Sequence, residues 1–346
     1  MRAVVFDQFR AVPEVRTVPD PAPARGGVII DVAATGLCRS DWHGWMGHDP
    51  DIRLPHVPGH EFAGTVSAVG ADVHAWTVGD RVTVPFGCAC GTCAACSRGD
   101  QQVCEIQTQP GFTHWGSFAE FVAIDHADIN LVRLPDELPF DTAAALGCRF
   151  ATSFRAITTR GAVRAGEWVA VHGCGGVGLS AVMIAAAAGA RVIAVDITTQ
   201  TLDLARECGA TVCLNATQPQ PIVSTIRELT GGGAHVSVDA LGTEETCDNS
   251  IECLRRRGRH VQLGWFPEGA AQPRVPMGRV MGYELELLGS HGMAAHAYPE
   301  MLSLVTSGLL QPARLVTDVI GLESAATALT TMDRATTAGI SLIRPR

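Results

Sequence analysis

A cysteine-rich segment, CACGTCAACSRGDQQVC, spans residues 88–104 and holds five thiols. Four of them are separated by two, two and seven residues: Cys90, Cys93, Cys96 and Cys104. Four thiolates this close in sequence suit the closed tetrahedral coordination of a structural zinc ion. Cys88 is a fifth thiol that could replace Cys90 as a ligand, although the regular spacing favours Cys90. Disulfides are the alternative, and a reducing compartment disfavours them.

A second set of possible metal ligands is spread over three segments, GLCRSDWHGW, VPGHEF and LGCRFATSF. These segments supply Cys38, His60, Glu61 and Cys148. Two cysteines and one histidine leave one coordination position of a metal open, which is the pattern of a catalytic zinc site. Zinc in such a site acts as a Lewis acid on the oxygen of an alcohol or carbonyl. Cys148 alone also fits a buried apolar thiol, so only the whole set supports the prediction.

A glycine-rich stretch, VHGCGGVG, follows a predicted strand and opens a predicted helix. Gly173, Gly175 and Gly178 have the G-x-G-x-x-G spacing that brings a backbone close to a pyrophosphate at a helix N-terminus. Asp196 ends the next predicted strand, where a carboxylate accepts hydrogen bonds from ribose hydroxyls and repels a 2′-phosphate. No Lys or Arg follows it through Leu204. The sequence therefore predicts NAD(H) rather than NADP(H), and a turn that serves only packing is the alternative.

The elements around these motifs fall into two groups. Up to about residue 146, short β-rich segments such as VIIDVAATG and EFAGTVSAVG are bounded by turn residues. From Glu167 onward, predicted strands alternate with helices, which indicates βαβ units and a parallel sheet. The C-terminal segment is mixed and could pack back on the first domain. The sequence thus predicts an α/β protein of two domains.

The composition limits the functional classes. The chain has 346 residues, of which 47% are hydrophobic, enough for two domains with a large core. A net charge of −9 disfavours binding to nucleic acid or to an anionic membrane. No apolar run reaches the ~18 residues of a membrane span. The N-terminal segment MRAVVFDQFRAV lacks the apolar core of a signal peptide. We therefore expect a cytoplasmic protein.

The motifs follow one order along nearly the whole chain: the Cys38 segment, the GHE triplet, the four-cysteine segment, Cys148 and the Gly173 loop. In these five motifs the sequence resembles the zinc-dependent medium-chain alcohol dehydrogenases, in particular the microbial, carbonyl reductase-like forms. The resemblance implies two zinc ions per chain, one catalytic and one structural, and NAD(H) as the cofactor. It also answers why one loop holds so many thiols, since the family has a structural zinc lobe there.

The resemblance implies a split architecture. A GroES-like catalytic domain over residues 1–148 would carry the structural zinc lobe. A Rossmann domain would span 149–289, and a C-terminal segment over 290–346 would complete the catalytic domain. Substrate would bind in the cleft between the two domains, with zinc on one wall and nicotinamide on the other.

The resemblance further implies roles for residues at fixed offsets from the ligands. Ser40 matches the hydroxyl that takes the alcohol proton, and His43 matches the outer end of a relay through the nicotinamide ribose. Asp41 matches a carboxylate that orients His60, and Glu61 matches one that can ligate zinc transiently. The residues implied to contact the cofactor are the glycine loop with Gly176, Arg39 on the pyrophosphate, Thr152 and Val177 against the nicotinamide, and Leu263 and Ser290.

The implied reaction is reversible hydride transfer between NAD(H) and an alcohol or ketone. An aromatic pocket is expected from four residues near motifs that line the cleft in relatives: Trp42, Trp45, Phe86 and Trp115. Core packing is the alternative for each. No arginine pair marks a carboxylate site, although Arg149 could point inward. We therefore expect uncharged substrates such as secondary alcohols, aryl ketones or keto esters.

The sequence departs from the family pattern near its C-terminus. Many relatives have an Arg there on the pyrophosphate, whereas AGISLI places Ile340 at this point. Phosphate binding should then depend more on Arg39 and the helix N-terminus. Thirteen residues separate Cys104 from Phe118, without the insertion of the dimeric animal enzymes. We therefore expect a homo-tetramer, with a dimer as the alternative.

Two other functions stay open. A polyol or amino-alcohol dehydrogenase is the nearer one, but Cys148 rather than a carboxylate as third ligand favours simple alcohols. A non-catalytic, zinc-stabilised nucleotide-binding protein is the other, and it would have lost catalytic ligands that this sequence retains.

Overall fold

The middle of the chain forms a six-stranded parallel sheet in the computed structural model, which describes residues 1–266, 273–334 and 338–346. In spatial order its strands are Val212–Asn215, Arg191–Asp196, Trp168–His172, Ala234–Asp239, Leu254–Gln262 and Glu286–Gly289. The order reverses between Trp168–His172 and Ala234–Asp239. In doubly wound folds a ligand binds beyond the carboxyl ends of the strands at this switch point.

Helices pack against this sheet because each strand is followed by a segment with helical character. They are Gly176–Ala187, Thr199–Glu207, Ile222–Thr230, Glu244–Glu252 and Met277–Tyr283. The central strand Trp168–His172, WVAVH, has four buried residues out of five, as expected for a parallel strand under helices. Within the described residues, no helix is both long and apolar enough to cross a membrane.

A seven-stranded sheet is built from both ends of the chain. Along its main path the strands are Val316–Gly321, Ile340–Arg344, Val28–Leu37, Phe62–Val69, Arg81–Thr83 and Val132–Arg133, and Phe121–Ile124 pairs with Val28–Leu37. Ser341 lies opposite Leu37. The C-terminal strands thus extend the N-terminal sheet, while the exact domain limits given above stay predictions. A separate hairpin pairs Arg2–Val5 with Glu14–Thr17.

A nearly continuous helical stretch runs from one sheet to the other. It consists of Phe140–Ala144, a π-helical turn at Leu146–Phe150, Ala151–Arg155 and a second π-helical turn at Ala156–Arg160. One hydrophobic cluster contains Ala34 and Ala63 of the N-terminal sheet together with Val169 and Val171 of the parallel sheet. The two halves therefore share a packed core, which holds the walls of the cleft in register.

The remaining helices lie on the N-terminal sheet or in the connections. They are Arg39–Trp45, Ala94–Ser97, Ala127–Asn130, Tyr298–Thr306 and Leu322–Thr330, with short 3₁₀ turns at Gln101–Val103, Ala295–Ala297 and Pro312–Leu315. Helix Arg39–Trp45 begins directly after the long strand Val28–Leu37. This junction places the Cys38 motif at the edge of the cleft.

Candidate active site and metal centres

Asp41 organises the junction between strand and helix. Its Oδ2 accepts a hydrogen bond from the backbone N–H of Cys38 at 2.9 Å. Its Oδ1 accepts from the N–H of Gly59 at 3.0 Å and from Nδ1 of His60 at 2.8 Å. Because Nδ1 of His60 faces this carboxylate, Nε2 is the ring nitrogen left for a metal ion. Asp41 is only 1% exposed. This buried carboxylate therefore fixes the orientation of the His60 ring.

Cys148 reaches the same point from the helical stretch between the sheets. It lies in the π-helical turn Leu146–Phe150, a type of irregularity that is frequent at functional sites. The hydroxyl of Tyr298 donates to the carbonyl of Gly147 at 3.0 Å and anchors the turn. Gly147 is needed because a Cβ there would stand 3.0 Å from Cα of Glu61. The turn therefore packs directly on the GHE segment.

These elements bring four candidate ligands together. One ligand atom from each of Cys38, His60, Glu61 and Cys148 lies within 4.8 Å of the others. Nε2 of His60 is buried and has no hydrogen-bond partner among the described residues. A buried acceptor without a partner is costly unless something else binds it, and two thiols and an imidazole are donors that zinc prefers. The donor set thus fits a catalytic zinc ion.

The charges of the two thiols are linked. The pKa of Cys38 is lowered well below its usual value because Cys148 donates a hydrogen bond to it and because Arg149 and His60 lie near. The pKa of Cys148 is raised by the same hydrogen bond and by burial. The structure therefore favours one thiolate and one thiol, and a metal ion that binds both must displace the remaining proton.

The four-cysteine segment forms a second, separate cluster. Cys90, Cys93, Cys96 and Cys104 each offer a sulfur within 4.8 Å of the others. Cys93 lies 3.4 Å from Cys96 and 3.7 Å from Cys104, sulfur to sulfur. The Thr92 hydroxyl and the N–H groups of Thr92 and Cys93 donate to Cys90 and lower its pKa to about 6. This is the closed four-thiolate site predicted from the spacing.

Cys88 lies outside that cluster. Its thiol bonds the carbonyl of Pro85 at 3.7 Å within a hydrophobic cluster that includes Val84 and Trp76. Burial raises its pKa to about 12. The choice between Cys88 and Cys90 as ligand is thus decided for Cys90.

Loss of one cluster thiol should release the structural zinc and weaken the lobe. We expect Cys96→Ser to bind one zinc ion fewer per chain and to lower the Tm by on the order of 10 °C, because metal-binding energy here is folding energy. Elemental analysis and a thermal scan on the same sample measure both effects. Cys88→Ala is the matched control and should keep full zinc content. Full zinc in Cys96→Ser, or zinc loss in Cys88→Ala, would contradict the assignment.

One cavity of about 2130 Å³ connects the catalytic ligands to the end of the parallel sheet. Its wall includes nearly every residue implied to contact the cofactor: Arg39, Thr152, Gly173, Gly175, Gly176, Val177, Asp196, Leu263 and Ser290. Ser40 and His43 line it too. Gly178 is buried, and a Cβ there would overlap the carbonyl oxygen of Gly173. It thus allows close packing of helix on strand beside the loop.

The conformation of the glycine loop depends on its glycines and on hydrogen bonds to Asp196. Gly173 has φ +83°, a conformation that favours glycine, and a Cβ at Gly175 would meet open space. Asp196 accepts from the N–H of Cys174 at 2.7 Å and from the N–H of Thr198 at 3.0 Å. The half-buried carboxylate thus ties the loop to the next strand while it lines the cavity.

The segment after Cys38 carries a chain of polar groups. Oγ of Ser40 lies 3.8 Å from the sulfur of Cys38. Nδ1 of His43 and Nδ1 of His48 are 2.9 Å apart, so one ring donates to the other. Burial, together with the charges of His48 and Arg39, lowers the pKa of His43 to about 4. No role was predicted for His48 from the sequence. A second histidine five residues after His43 could have indicated one.

The predicted aromatic pocket is wrong for its three tryptophans. Trp42 and Trp115 pack against a hydrophobic cluster around Phe6, and Trp45 is a member of it. Nε1 of Trp45 donates to the carbonyl of Ala11 at 2.6 Å, so this ring points away from the cleft. Nε1 of Trp115 donates to the carbonyl of Pro55 at 3.0 Å. These three rings therefore belong to the core of the N-terminal half.

Other aromatic residues line the cavity instead. Phe86, as expected, and Phe112 lie there, with ring centroids 6.3 and 5.2 Å from that of His60. Trp265 also lines the cavity, and its ring centroid is 5.2 Å from that of His43. Sequence reasoning missed Trp265 because it follows a strand of the distant parallel sheet. No motif adjacent to Trp265 in the sequence indicated that it would line the cleft.

The structure also places Ile340 and Arg149. Ile340, at the position of the pyrophosphate Arg of many relatives, is 1% exposed and lies in the shared hydrophobic cluster. Arg149 does point inward: it is 6% exposed, and its guanidinium pairs with both carboxylate oxygens of Glu61. A buried arginine thus stands between the metal ligands and the glycine loop.

Comparisons with known proteins agree with this geometry. Residues 24–136 match the alcohol dehydrogenase GroES-like domain and residues 176–307 match the zinc-binding dehydrogenase family. The chain is 36% identical over 272 residues to an alcohol dehydrogenase of Geobacillus stearothermophilus, covering 78% of this chain and 79% of the relative.

Solved structures give the same result. Alcohol dehydrogenase TADH from Thermus sp. ATN1 superposes with a TM-score of 0.91 at 32% identity, over 100% of both chains. An NAD-dependent alcohol dehydrogenase superposes with a TM-score of 0.90 at 31% identity, again over 100% of both chains. The fold and the two cysteine-based centres define a zinc-binding oxidoreductase with a Rossmann domain. The chain belongs to the zinc-dependent medium-chain alcohol dehydrogenase family.

Proposed function

We propose that this protein catalyses reversible hydride transfer between NAD(H) and an uncharged secondary alcohol or the corresponding ketone. The observation that carries the proposal is a single cavity lined by Cys38, His60 and Cys148 at one end and by the glycine loop and Asp196 at the other. Zinc bound at the first end supplies Lewis acidity to the substrate oxygen. The nicotinamide carries the hydride, and the protein contributes position and charge.

Within this proposal, Ser40, His43 and His48 move the alcohol proton outward. Ser40 lies beside the Cys38 sulfur and is the inner acceptor. His43 accepts at Nε2 and releases at Nδ1, which faces Nδ1 of His48. The lowered pKa keeps His43 neutral at neutral pH, so the ring passes the proton on by accepting it at Nε2 as Nδ1 releases its own. Asp41 holds His60 in the tautomer that leaves Nε2 for the metal.

An uncharged substrate is supported by the wall next to His60. Leu37, Phe86 and Phe112 line the cavity there, and apolar rings stabilise hydrocarbon rather than charge. Arg149, a buried cation nearby, is already paired with Glu61 and has no charge left over for a substrate carboxylate. In the reverse direction the same wall suits reduction of aryl ketones or keto esters.

A substrate screen tests the proposal. The zinc-loaded protein should reduce NAD with secondary alcohols at higher kcat/KM than with primary alcohols, polyols or amino alcohols. NADH oxidation with the matching ketones should mirror this order. Metal content is measured on the same sample, so that inactivity from lost zinc is recognised. A preference for polyols or amino alcohols would select the neighbouring branch of the family. No turnover with two zinc ions bound would favour a non-catalytic nucleotide-binding protein.

Cofactor choice should depend on Asp196. We expect NADH to be strongly preferred, because a carboxylate that lines the cavity repels a 2′-phosphate. Asp196→Ala should lower kcat/KM for NADH by about 10- to 100-fold, because hydrogen bonds to a charged group are lost. The value of kcat/KM for NADPH should change less. Steady-state kinetics with both cofactors measure the ratio. Asp203→Ala, at an exposed carboxylate of the next helix, is the control. Equal efficiency with NADH and NADPH in the parent enzyme would contradict the assignment.

We also propose that the chain forms a homo-oligomer, with a tetramer as the expected state. Strand Glu286–Gly289 ends the parallel sheet on the outside, and Leu287 is 37% exposed. The preceding helix exposes Met277 and Met281 at 60% and 76%. An exposed apolar edge of this kind is typical of a subunit contact.

A further inference from the structure

Arg149 is a buried arginine beside the metal ligands. The proposed hydride and proton transfer give it no role, yet its guanidinium is fully engaged in hydrogen bonds. It follows Cys148 directly in the π-helical turn. Nε donates to Oε1 of Glu61 at 3.0 Å, Nη2 donates to Oε2, and Nη1 donates to the carbonyl of Leu37 at 3.0 Å. The guanidinium therefore joins the turn, the GHE segment and the end of the long strand.

Hydrogen bonds occupy both carboxylate oxygens of Glu61. Its Oε1 accepts from the N–H groups of Cys148 at 3.2 Å and Arg149 at 2.8 Å, as well as from Nε of Arg149. Its Oε2 accepts from Nη2 of Arg149. Four N–H donors thus use the acceptor sites of this side chain, and together they fix its orientation.

The surroundings fix this pair in place. A Cβ at Gly36 would stand 2.5 Å from Oε2 of Glu61 and 2.8 Å from Nη2 of Arg149. A Cβ at Gly176, in the dinucleotide loop, would stand 2.6 Å from Cδ of Arg149. Glycines on both sides thus make room for the arginine. Rotation of Glu61 toward a metal would leave a buried guanidinium without its counter-ion, which is strongly unfavourable.

Glu61 is nevertheless within reach of the other ligands, since a carboxylate oxygen lies within 4.8 Å of the donor atoms of Cys38, His60 and Cys148. A metal held by all four would be closed, whereas three protein ligands leave a position for substrate. We propose that Arg149 is a positioning residue that holds Glu61 away from the catalytic metal and so keeps the fourth coordination position open. The inference rests on the three-ligand site of the proposed function.

The test replaces the catalytic zinc with cobalt(II), whose absorption bands report its ligands. Imidazole is the probe, because it binds a metal with an open position and has no place at the four-thiolate site. In the parent protein, imidazole should shift the cobalt bands with a measurable Kd. In Arg149→Met, Glu61 becomes free to ligate. The bands should then differ before imidazole is added, and imidazole affinity should fall by on the order of 10- to 100-fold.

Two further variants separate positioning from mere stability. The double variant Glu61→Gln, Arg149→Met removes the competing carboxylate and should restore imidazole affinity to within about threefold of the parent. Arg344→Met, which removes a surface ion pair with Asp141, is the control and should match the parent. If Arg149→Met does not fold, Arg149→Lys takes its place. Lysine keeps the charge but loses the bidentate fork, so affinity should fall less.

The inference is overturned if Arg149→Met, or Arg149→Lys in its place, keeps the parent bands and the parent imidazole affinity. It is also overturned if the double variant is as impaired as the single one. The cobalt spectra could behave as expected while the protein oxidises none of the alcohols. That result would overturn the proposed function but not the role of Arg149. A parent protein that binds no cobalt at the catalytic ligands while it keeps its structural zinc would overturn both.

Discussion

Replacement of Cys148 with alanine should remove one of two zinc ions and nearly all alcohol oxidation, while the fold survives. Cys148 is one of only two thiols in the candidate catalytic site, so its loss leaves Cys38 and His60 with an incomplete set. A Lewis acid contributes several kcal/mol to stabilisation of the transition state, so the rate should fall by roughly 10³-fold or more. Removal of a side chain from the cleft opens no large void in the core, and the Tm should change little.

The measurement combines elemental analysis, kcat/KM and a thermal scan on one preparation. Cys208→Ala is the matched control, because it removes another buried thiol that belongs to neither ligand set. It should keep two zinc ions and full activity. A parent protein that is fully active with a single zinc ion, or a Cys148→Ala variant that keeps both, would contradict the assignment of this site.

Ser40→Ala should slow alcohol oxidation near neutral pH more than His43→Gln does, and neither should lose zinc. In the proposed relay Ser40 is the inner link, with its Oγ 3.8 Å from the Cys38 sulfur, so its loss removes the group that receives the alcohol proton. General acid–base steps contribute ~10²–10⁴-fold, and we expect Ser40→Ala within this range. His43 lies farther out and contacts His48, so water can partly replace it. Its loss should cost about 10²-fold or less.

The pH profile distinguishes proton transfer from a structural defect. Burial and the nearby His48 and Arg39 lower the pKa of His43 to about 4, so the ring is neutral throughout the range from pH 6 upward. The deficit of His43→Gln should be largest near pH 6–7, and it should shrink as the pH rises, because hydroxide then removes the proton directly. Rates for the parent and both variants from pH 6 to 10, with zinc content checked, measure this.

His48→Gln provides the matched comparison for the outer step. It removes the partner that faces Nδ1 of His43 and leaves Ser40 untouched. A milder deficit with the same pH trend would place it on the path to solvent. If His43→Gln equals the parent at every pH, His43 is not in the relay and is better understood as a cofactor contact.

The sequence by itself was enough to identify both metal centres and the dinucleotide loop. Ligands on one short loop, such as Cys90 and Cys93, are brought together by local geometry, so their spacing predicts the site. A G-x-G-x-x-G stretch between a strand and a helix is likewise a local arrangement, because three glycines permit a backbone path that other residues do not. The alternation of strands and helices predicted the parallel sheet for the same reason.

Only the tertiary structure decided which side chains face the cleft. Near the ligands in sequence, Trp45 turns into the core and Trp42 and Trp115 pack against it, while Trp265 reaches the cavity from a different sheet. Side-chain direction depends on packing partners that are far away in the chain, and residue type alone does not set it.

The same holds for the environment of Glu61. Its pairing with Arg149 joins residues 88 positions apart, and room for it depends on glycines of two further segments. The sequence showed a carboxylate next to a metal-binding histidine and an arginine next to a metal-binding cysteine. Whether that carboxylate meets the metal or the arginine depends on a π-helical turn that brings the guanidinium onto it. Leu146 and Phe150 of that turn belong to the hydrophobic cluster that includes residues of both sheets, and no local pattern records this packing.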